Sequence, residues 1–133
     1  MSARILIVDD DPSIRMLLRR LLENHVGGEV SEAVNGAEAV EKTARLSLDL
    51  VILDLAMPGM NGLQAAREIS KINPRLPILL ASVEEVSKHL ARAARDSGFR
   101  GAVTKSKGTE VVQAAEALLH NETFFAVDES LAL

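Results

Sequence analysis

Short apolar stretches alternate with amphipathic stretches along almost the whole chain, and this alternation is the feature that most constrains the fold. The apolar stretches are four to six residues long, as expected for strands that are buried on both faces. The predicted strands are residues 4–8, 29–34, 49–53, 78–81 and 101–104. Between them, apolar residues recur three and four positions apart, which is typical of one face of a helix. The predicted helices are residues 12–25, a segment that carries Ala37, Val40 and Ala44, and residues 62–73, 84–97 and 109–120.

Two of these helices have clear start signals. Asp11 is a good N-cap and Pro12 suits the first helical position. The segment Asn35-Gly36-Ala37-Glu38 combines a turn with a capping-box pattern. Five strand–helix units in succession predict an α/β protein with a parallel sheet and helices on both faces. Right-handed crossovers leave few topologies, and the flavodoxin-like, doubly wound (βα)5 order 2-1-3-4-5 is the one we expect.

The chain of 133 residues is expected to form one domain over residues 1–120. Residues 121–133 are predicted to be a C-terminal tail or the start of a linker to an output domain that does not follow in this sequence. A strand begins almost at the N-terminus, which leaves no room for a signal peptide, and no stretch is long enough to span a membrane. We therefore expect a cytoplasmic protein.

Composition excludes several kinds of chemistry. The chain has no cysteine, so disulfides, thiolate nucleophiles and zinc fingers are excluded. The net charge of -4 argues against sequence-independent binding of nucleic acid, which needs a basic surface. Carboxylates and three scattered histidines are the remaining metal ligands, and they favour a hard cation such as Mg²⁺ over zinc.

Charged residues stand where three of the predicted strands end. Asp9 and Asp10 follow the first strand, Asp54 follows the third and Lys105 follows the fifth. Parallel strands present their carboxyl ends at one edge of the sheet, where open α/β sheets bind ligands. Two unit charges about 4 Å apart repel by roughly 4 kcal/mol at an effective dielectric near 20, so the acids need a proton or a bound cation. We predict a site for Mg²⁺ and a phosphoryl group.

The residue types suggest a role for each group. A carboxylate such as Asp54 can attack phosphorus, and a lysine such as Lys105 can neutralise charge on the phosphoryl oxygens. The Ser82 hydroxyl, after the fourth strand, could donate to such an oxygen. Taken singly, these residues could instead be a solvated strand end, a surface lysine and a turn serine. Asp11 is better explained as a helix cap than as a ligand.

The same residues match a known family in order and spacing. Val8-Asp9-Asp10, the segment Leu53-Asp54-Leu55-Ala56-Met57-Pro58-Gly59-Met60-Asn61-Gly62, Ser82 and Lys105 together resemble the receiver domain of bacterial response regulators, over about residues 3–120. The resemblance implies that Asp54 is the phosphoacceptor for a sensor histidine kinase. It also implies a magnesium site made by Asp10, Asp54, the backbone carbonyl of Ala56 and, through a water molecule, Asp9. Lys105 and Ser82 would contact the phosphoryl group.

Details of the chain look closest to the NarL/LuxR-type branch of this family. Ser106 follows the lysine, and residues 118–125 resemble the segment that leads into a helix-turn-helix output domain. The resemblance therefore implies transcriptional regulation, and a homodimer through the first and last helices. Ala102 departs from the family pattern, which usually has an aromatic switch residue three positions before the lysine. Without this ring, how phosphorylation would be transmitted is an open question at this stage.

Two other functions remain open from the sequence. A receiver fold without the aromatic residue could act as a phosphorylation-independent interaction module. A magnesium-dependent phosphohydrolase is the other alternative, although Ala56 stands where haloacid-dehalogenase-type phosphatases have a second carboxylate. We expect no enzymatic activity other than phosphorylation and dephosphorylation of the chain itself.

Overall fold

The structure is a computed structural model and describes residues 2–130. Strands and helices alternate regularly as far as the last helix. The strands are β1 (Arg4–Val8), β2 (Glu29–Ala33), β3 (Leu50–Leu53), β4 (Ile78–Ser82), β5 (Gly101–Thr104) and β6 (Phe124–Phe125). The helices are α1 (Pro12–His25), α2 (Gly36–Arg45), α3 (Gly62–Ile72), α4 (Lys88–Asp96) and α5 (Gly108–Leu119).

All the strands belong to one parallel sheet with the order β2-β1-β3-β4-β5-β6. The predicted flavodoxin-like order 2-1-3-4-5 is therefore confirmed. The short strand β6 extends the sheet beyond β5 and was not predicted. Because β1 lies between β2 and β3, the chain reverses its direction of winding there, and the carboxyl ends of β1 and β3 form the crevice at which such sheets bind ligands.

The sheet separates two apolar cores, because successive side chains of a strand point to opposite faces. One core contains Leu6, Val8, Val51 and Leu53 and is covered by α2, α3 and α4. The other core contains Ile5, Ile7 and Ile52 and is covered by α1 and α5. Strands β1, β3 and β4 are consequently apolar along nearly their whole length, which explains the continuous hydrophobic runs in the sequence.

Side chains cap the helices much as the sequence predicts. The Asp11 carboxylate accepts a hydrogen bond from the Ser13 amide at 2.8 Å, and the Asn35 side chain accepts from the Glu38 amide at 2.8 Å. The Glu38 carboxylate pairs with Lys42 at 3.3 Å.

The reciprocal capping box forms at α3 instead. There, the Asn61 side chain accepts from the Gln64 amide, and the Gln64 side chain accepts from the Asn61 amide.

The prediction of a helix over residues 84–97 was wrong at its start. Helix α4 begins at Lys88, and the Ser87 hydroxyl caps it by accepting a hydrogen bond from the Leu90 amide at 3.0 Å. Residues 83–87 form a loop, in which Val86 pairs with Val127 of the tail. The apolar spacing from Val86 to Leu90 suggested a helical face, but Val86 is buried because it contacts the tail. The other element boundaries agree with the prediction to within about one residue.

The tail pairs with β5 over residues 124–126 and with the loop 83–87 over residues 127–128. Strand β6 pairs Phe124 with Gly101 and Phe125 with Ala102. The division of the chain at residue 120 stays a prediction. No helix within residues 2–130 has the length and apolar character that crossing a membrane requires.

Candidate functional site

The structure brings together the charged ends of β1, β3 and β5. The Lys105 ammonium donates to Asp9 Oδ2 at 2.7 Å and to Asp54 Oδ1 at 3.0 Å, although these residues are far apart in the sequence. All three side chains are buried, with exposed fractions of 5% for Lys105, 1% for Asp9 and 7% for Asp54. We call these three residues the acceptor cluster. Their convergence is what the strand-end argument predicts.

Asp10 completes a group of three carboxylates beside the ammonium. Asp9, Asp10 and Asp54 each offer an oxygen, and these oxygens all lie within 4.8 Å of one another. Asp10 is exposed and so faces solvent from which a hydrated cation could enter. A set made only of carboxylate oxygens fits a hard divalent cation such as Mg²⁺. Ala56 lies two residues after Asp54 in an exposed part of the next loop.

Burial and charge act in opposite directions on the acceptor cluster. Burial raises the pKa of Asp54, its hydrogen bond from Lys105 lowers it, and the neighbouring Asp9 charge raises it again, so that the net shift is upward. Burial lowers the pKa of Lys105, but its hydrogen bonds to Asp9 and Asp54 outweigh burial and leave that pKa raised. The lysine is therefore charged at neutral pH, while ionised Asp54 is less stable than it would be in water.

Backbone contacts fix the position of Asp54. Its amide donates to the Val8 carbonyl at 2.9 Å, which continues the pairing of β3 with β1. The loop after it returns at Gly62, whose amide donates to the Leu55 carbonyl at 2.8 Å. A Cβ atom at Gly62 would lie only 2.3 Å from the Asp54 carbonyl oxygen, so a side chain there would displace the backbone. The loop can close this tightly only because residue 62 is glycine.

Ser82 is buried at the end of β4, beside the strand that carries Lys105. Its carbonyl accepts from the Lys105 amide at 2.7 Å, and its hydroxyl accepts from the Glu84 amide at 3.2 Å. The hydroxyl therefore holds the first turn of the loop 83–87. The contact of Ser82 with a phosphoryl group stays a prediction.

Ala102 is fully buried and faces the core beneath α4. Its neighbour across the sheet is Phe125 of β6, which packs against the same core. The sequence analysis missed this ring. A signal was available, because Phe124 and Phe125 are two of three phenylalanines in a chain without tyrosine or tryptophan.

The sequence analysis also missed Arg15, which contacts the site from α1. Its guanidinium donates to the Asp9 carbonyl at 2.7 Å and to the Glu32 carboxylate at 2.9 Å. Arg19 donates to the same carboxylate at 2.7 Å. We call Arg15, Arg19 and Glu32 the Glu32 cluster. The hydrogen bond from Arg19 is the main reason that the pKa of Glu32 is lowered, and Arg15 adds to it.

Comparison with known proteins assigns this fold and site to a family. The response regulator receiver domain matches residues 5–116. The chemotaxis protein CheY of Thermotoga maritima is 47% identical over 83 residues, which cover 62% of this chain and 68% of that protein. The nitrate/nitrite response regulator protein NarP of Escherichia coli is 36% identical over 110 residues, which cover 82% of this chain and 51% of NarP. The chain thus spans about half the length of NarP.

A crystal structure of a two-component response regulator of the LuxR family, from Aurantimonas sp. SI85-9A1, superimposes with a TM-score of 0.89. It is 35% identical, and the match covers 95% of this chain and 91% of that one. The chain therefore belongs to the response regulator receiver domain family. It is a phosphoacceptor domain of two-component signalling, and its similarity to NarP and to the LuxR-family regulator confirms the NarL/LuxR-type resemblance.

Proposed function

We propose that Asp54 is the phosphoacceptor, that Mg²⁺ is its cofactor and that a sensor histidine kinase is its phosphodonor. The observation that carries this proposal is the Lys105 ammonium within 3.0 Å of both Asp9 and Asp54, beside the exposed carboxylate of Asp10. Receiver domains interact with histidine kinases and bind Mg²⁺ in an acidic pocket, and the carboxylates of Asp9, Asp10 and Asp54 fit such a pocket.

Each residue has a distinct part in this reaction. A carboxylate oxygen of Asp54 attacks the phosphorus of the kinase phosphohistidine, the P–N bond breaks, and its electron pair stays on the imidazole. Lys105 moves from the Asp54 oxygen to a phosphoryl oxygen and neutralises charge there. The Ser82 hydroxyl donates to another phosphoryl oxygen.

The magnesium ion would be held by Asp10, Asp54, the Ala56 carbonyl and, through water, Asp9. When bound, it would supply positive charge that stabilises the transferred phosphoryl group. Asp9 also holds Lys105 in place through their 2.7 Å contact. Arg15 fixes the backbone of Asp9, and so positions the residue without touching the phosphoryl group.

Labelling with acetyl phosphate and Mg²⁺ tests the acceptor. Intact-mass measurement should show one added phosphoryl group on the wild type and none on Asp54→Asn. Asp10→Asn should need a much higher magnesium concentration for the same label. Asp11→Asn is the matched control, because it removes a neighbouring carboxylate but keeps a good N-cap, and it should label normally. A wild-type chain that stays unlabelled, or an Asp54→Asn variant that labels, would refute the assignment.

The wider role follows from the relatives. We propose that the chain regulates transcription as part of a NarL/LuxR-type regulator, that it acts in the cytoplasm, and that it has no catalytic activity on other molecules. Helices α1 and α5 pack together in one core and offer a surface for a homodimer. The net charge of -4 argues against direct contact with nucleic acid.

Ala102 supports a second candidate, a phosphorylation-independent interaction module. The aromatic residue that the family uses as a switch is missing at this position, so signalling through it is blocked. This candidate predicts that Asp54→Asn and Asp54→Ala bind a partner as tightly as the phosphorylated wild type does. A phosphohydrolase is the weaker alternative, because Ala56 stands where such an enzyme would have a second carboxylate. It would show sustained turnover of a phosphate ester.

A further inference from the structure

Backbone hydrogen bonds join the tail to β5 and to the loop 83–87. The Ala126 amide donates to the Ala102 carbonyl at 2.9 Å, and the Asp128 amide donates to the Val86 carbonyl at 2.7 Å. We call residues 124–128 the tail strand. It therefore bridges β5, which Lys105 follows, and the loop 83–87, which follows Ser82.

The tail strand places an aromatic ring beside Ala102, the position of β5 at which the family usually has one. Phe125 is the cross-strand neighbour of Ala102, and both contact the core that α4 covers. The Arg95 guanidinium of α4 lies over the Phe125 ring, 4.1 Å from its centre, which is a favourable cation–π distance. Phe124 points to the opposite face and packs in the core of α1 and α5. Of the two rings of the tail strand, Phe125 is thus the one that lies against both β5 and α4.

A short chain of contacts joins Ser82 to the tail strand. The Ser82 hydroxyl accepts from the Glu84 amide, and Val86, two residues later, is fully buried and bound to the tail. A hydroxyl can donate one hydrogen bond while it accepts another, so the 3.2 Å contact with the Glu84 amide changes only if the Ser82 oxygen itself moves toward the phosphoryl group. Such a movement would pull on the Glu84 amide and, through the loop 83–87, on the Val86 carbonyl that accepts from the Asp128 amide.

We propose that the tail strand reports phosphorylation, with Phe125 in place of the missing aromatic residue of β5. In the unphosphorylated chain the tail strand is docked, and phosphorylation of Asp54 loosens it from Val86 and from α4. This inference rests on the proposed function, because it needs a phosphoryl group on Asp54. Coupling between two sites is reciprocal, so a loosened tail must in turn favour the phosphorylated form of the site.

Hydrogen exchange in the full chain tests the first half of this inference. The probe is Mg²⁺ with beryllium fluoride, which mimics a phosphoryl group on a carboxylate. In the wild type, the amides of Ala126 and Asp128 should exchange about fivefold faster or more with the probe than with Mg²⁺ alone. Asp54→Asn should show no change. Unchanged exchange in a wild type that does take up label from acetyl phosphate would overturn the inference and leave the proposed function standing.

The affinity for beryllium fluoride tests the reciprocal half. Phe125→Ala should bind the probe about fivefold more tightly or more, because less docking energy opposes binding. Val30→Ala is the matched control, since it removes a half-buried apolar side chain at the opposite edge of the sheet and should bind within about twofold of the wild type. Phe125→Leu keeps apolar bulk, so its affinity for the probe should lie between that of the wild type and that of Phe125→Ala. This variant tests the inference if Phe125→Ala fails to fold.

Each remaining outcome is decisive. Phe125→Ala or Phe125→Leu with wild-type affinity would overturn the inference, and so would equal tightening in Val30→Ala. A wild type that neither labels with acetyl phosphate nor binds the probe would overturn both this inference and the proposed function.

Discussion

The acceptor cluster and the Glu32 cluster have opposite charge balances. The acceptor cluster has two carboxylates and one ammonium and is almost fully buried. The Glu32 cluster has two guanidinium groups and one carboxylate, and its side chains keep 15% to 34% of their surface exposed. The pKa of Asp54 is raised, chiefly by burial, whereas the pKa of Glu32 is lowered, chiefly by Arg19.

The difference favours the acceptor cluster as the functional one of the two. Two guanidinium groups contact the single Glu32 carboxylate, so its ionised form is stabilised and the cluster has a structural role. Asp9 and Asp54 share a single ammonium in a buried position, so their negative charge is incompletely compensated. With Asp10 counted, three carboxylates face one ammonium, and a divalent cation would balance the remaining negative charge. Buried carboxylates with incompletely compensated charge and a raised pKa are typical of functional sites.

Removing the shared ammonium should have the largest effect on stability. Lys105→Met removes the shared cationic partner of two buried carboxylates and should lower the free energy of unfolding by about 3 kcal/mol in metal-free buffer. Urea denaturation measures this, and added Mg²⁺ should restore more stability to the variant than to the wild type. Lys71→Met, which loses only an exposed pair with Glu68, is the control and should change stability by less than about 0.5 kcal/mol. A loss below about 1 kcal/mol for Lys105→Met would contradict the comparison.

Neutralising Glu32 should have a smaller effect. Glu32→Gln leaves two arginines that solvent can still reach, so the free energy of unfolding should fall by about 1 kcal/mol. Glu41→Gln, which weakens only the exposed pair with Arg45, should be close to neutral in the same denaturation series. If Glu32→Gln cost as much as Lys105→Met, burial would not be what separates the two clusters.

The smallest expected effect is on the pH dependence of stability, where the two clusters should differ in sign. The raised pKa of Asp54 means that the folded chain binds its proton more tightly, so wild-type stability relative to Asp54→Asn should fall as pH rises above the ordinary value of 3.8. The lowered pKa of Glu32 gives a contribution that is present above its ordinary value of 4.5 and is lost as pH falls below it. Denaturation of both variants and the wild type between about pH 3 and 7, without Mg²⁺, measures the two slopes. Slopes of equal sign would be inconsistent with these shifts.

Much of the fold and the convergence of the site could be predicted from the sequence. Strand periodicity and helix caps such as Asp11 are local signals, and the parallel topology then places Asp9, Asp54 and Lys105 at one edge of the sheet. The role of Asp9 in holding Lys105 directly could not be predicted, because the topology brings the strand ends together without determining which carboxylate oxygen the ammonium contacts. The Glu32 cluster was missed for the same reason, since it joins a strand edge to a neighbouring helix.

The tail strand could not be predicted for a different physical reason. Phe124 and Phe125 form a strand only two residues long, which has no periodicity to detect, and its pairing is determined by the free edge of β5. The same contact explains the wrong start of α4, because Val86 pairs with Val127 instead of continuing a helical turn. Non-local pairing therefore overrode the local pattern at both places.

The close approach of Gly62 to the Asp54 carbonyl limits how this receiver can be redesigned. Libraries that vary the connection over residues 55–61 can retune cation affinity or phosphoryl lifetime only if glycine is kept at position 62. Any larger residue there would displace the Asp54 peptide and so change the orientation of its carboxylate. A library that also varied position 62 would then select for sequences that restore the backbone, not for altered chemistry. The absence of a Cβ atom at residue 62 therefore separates residues 55–61, which can be varied, from the one position that must stay glycine.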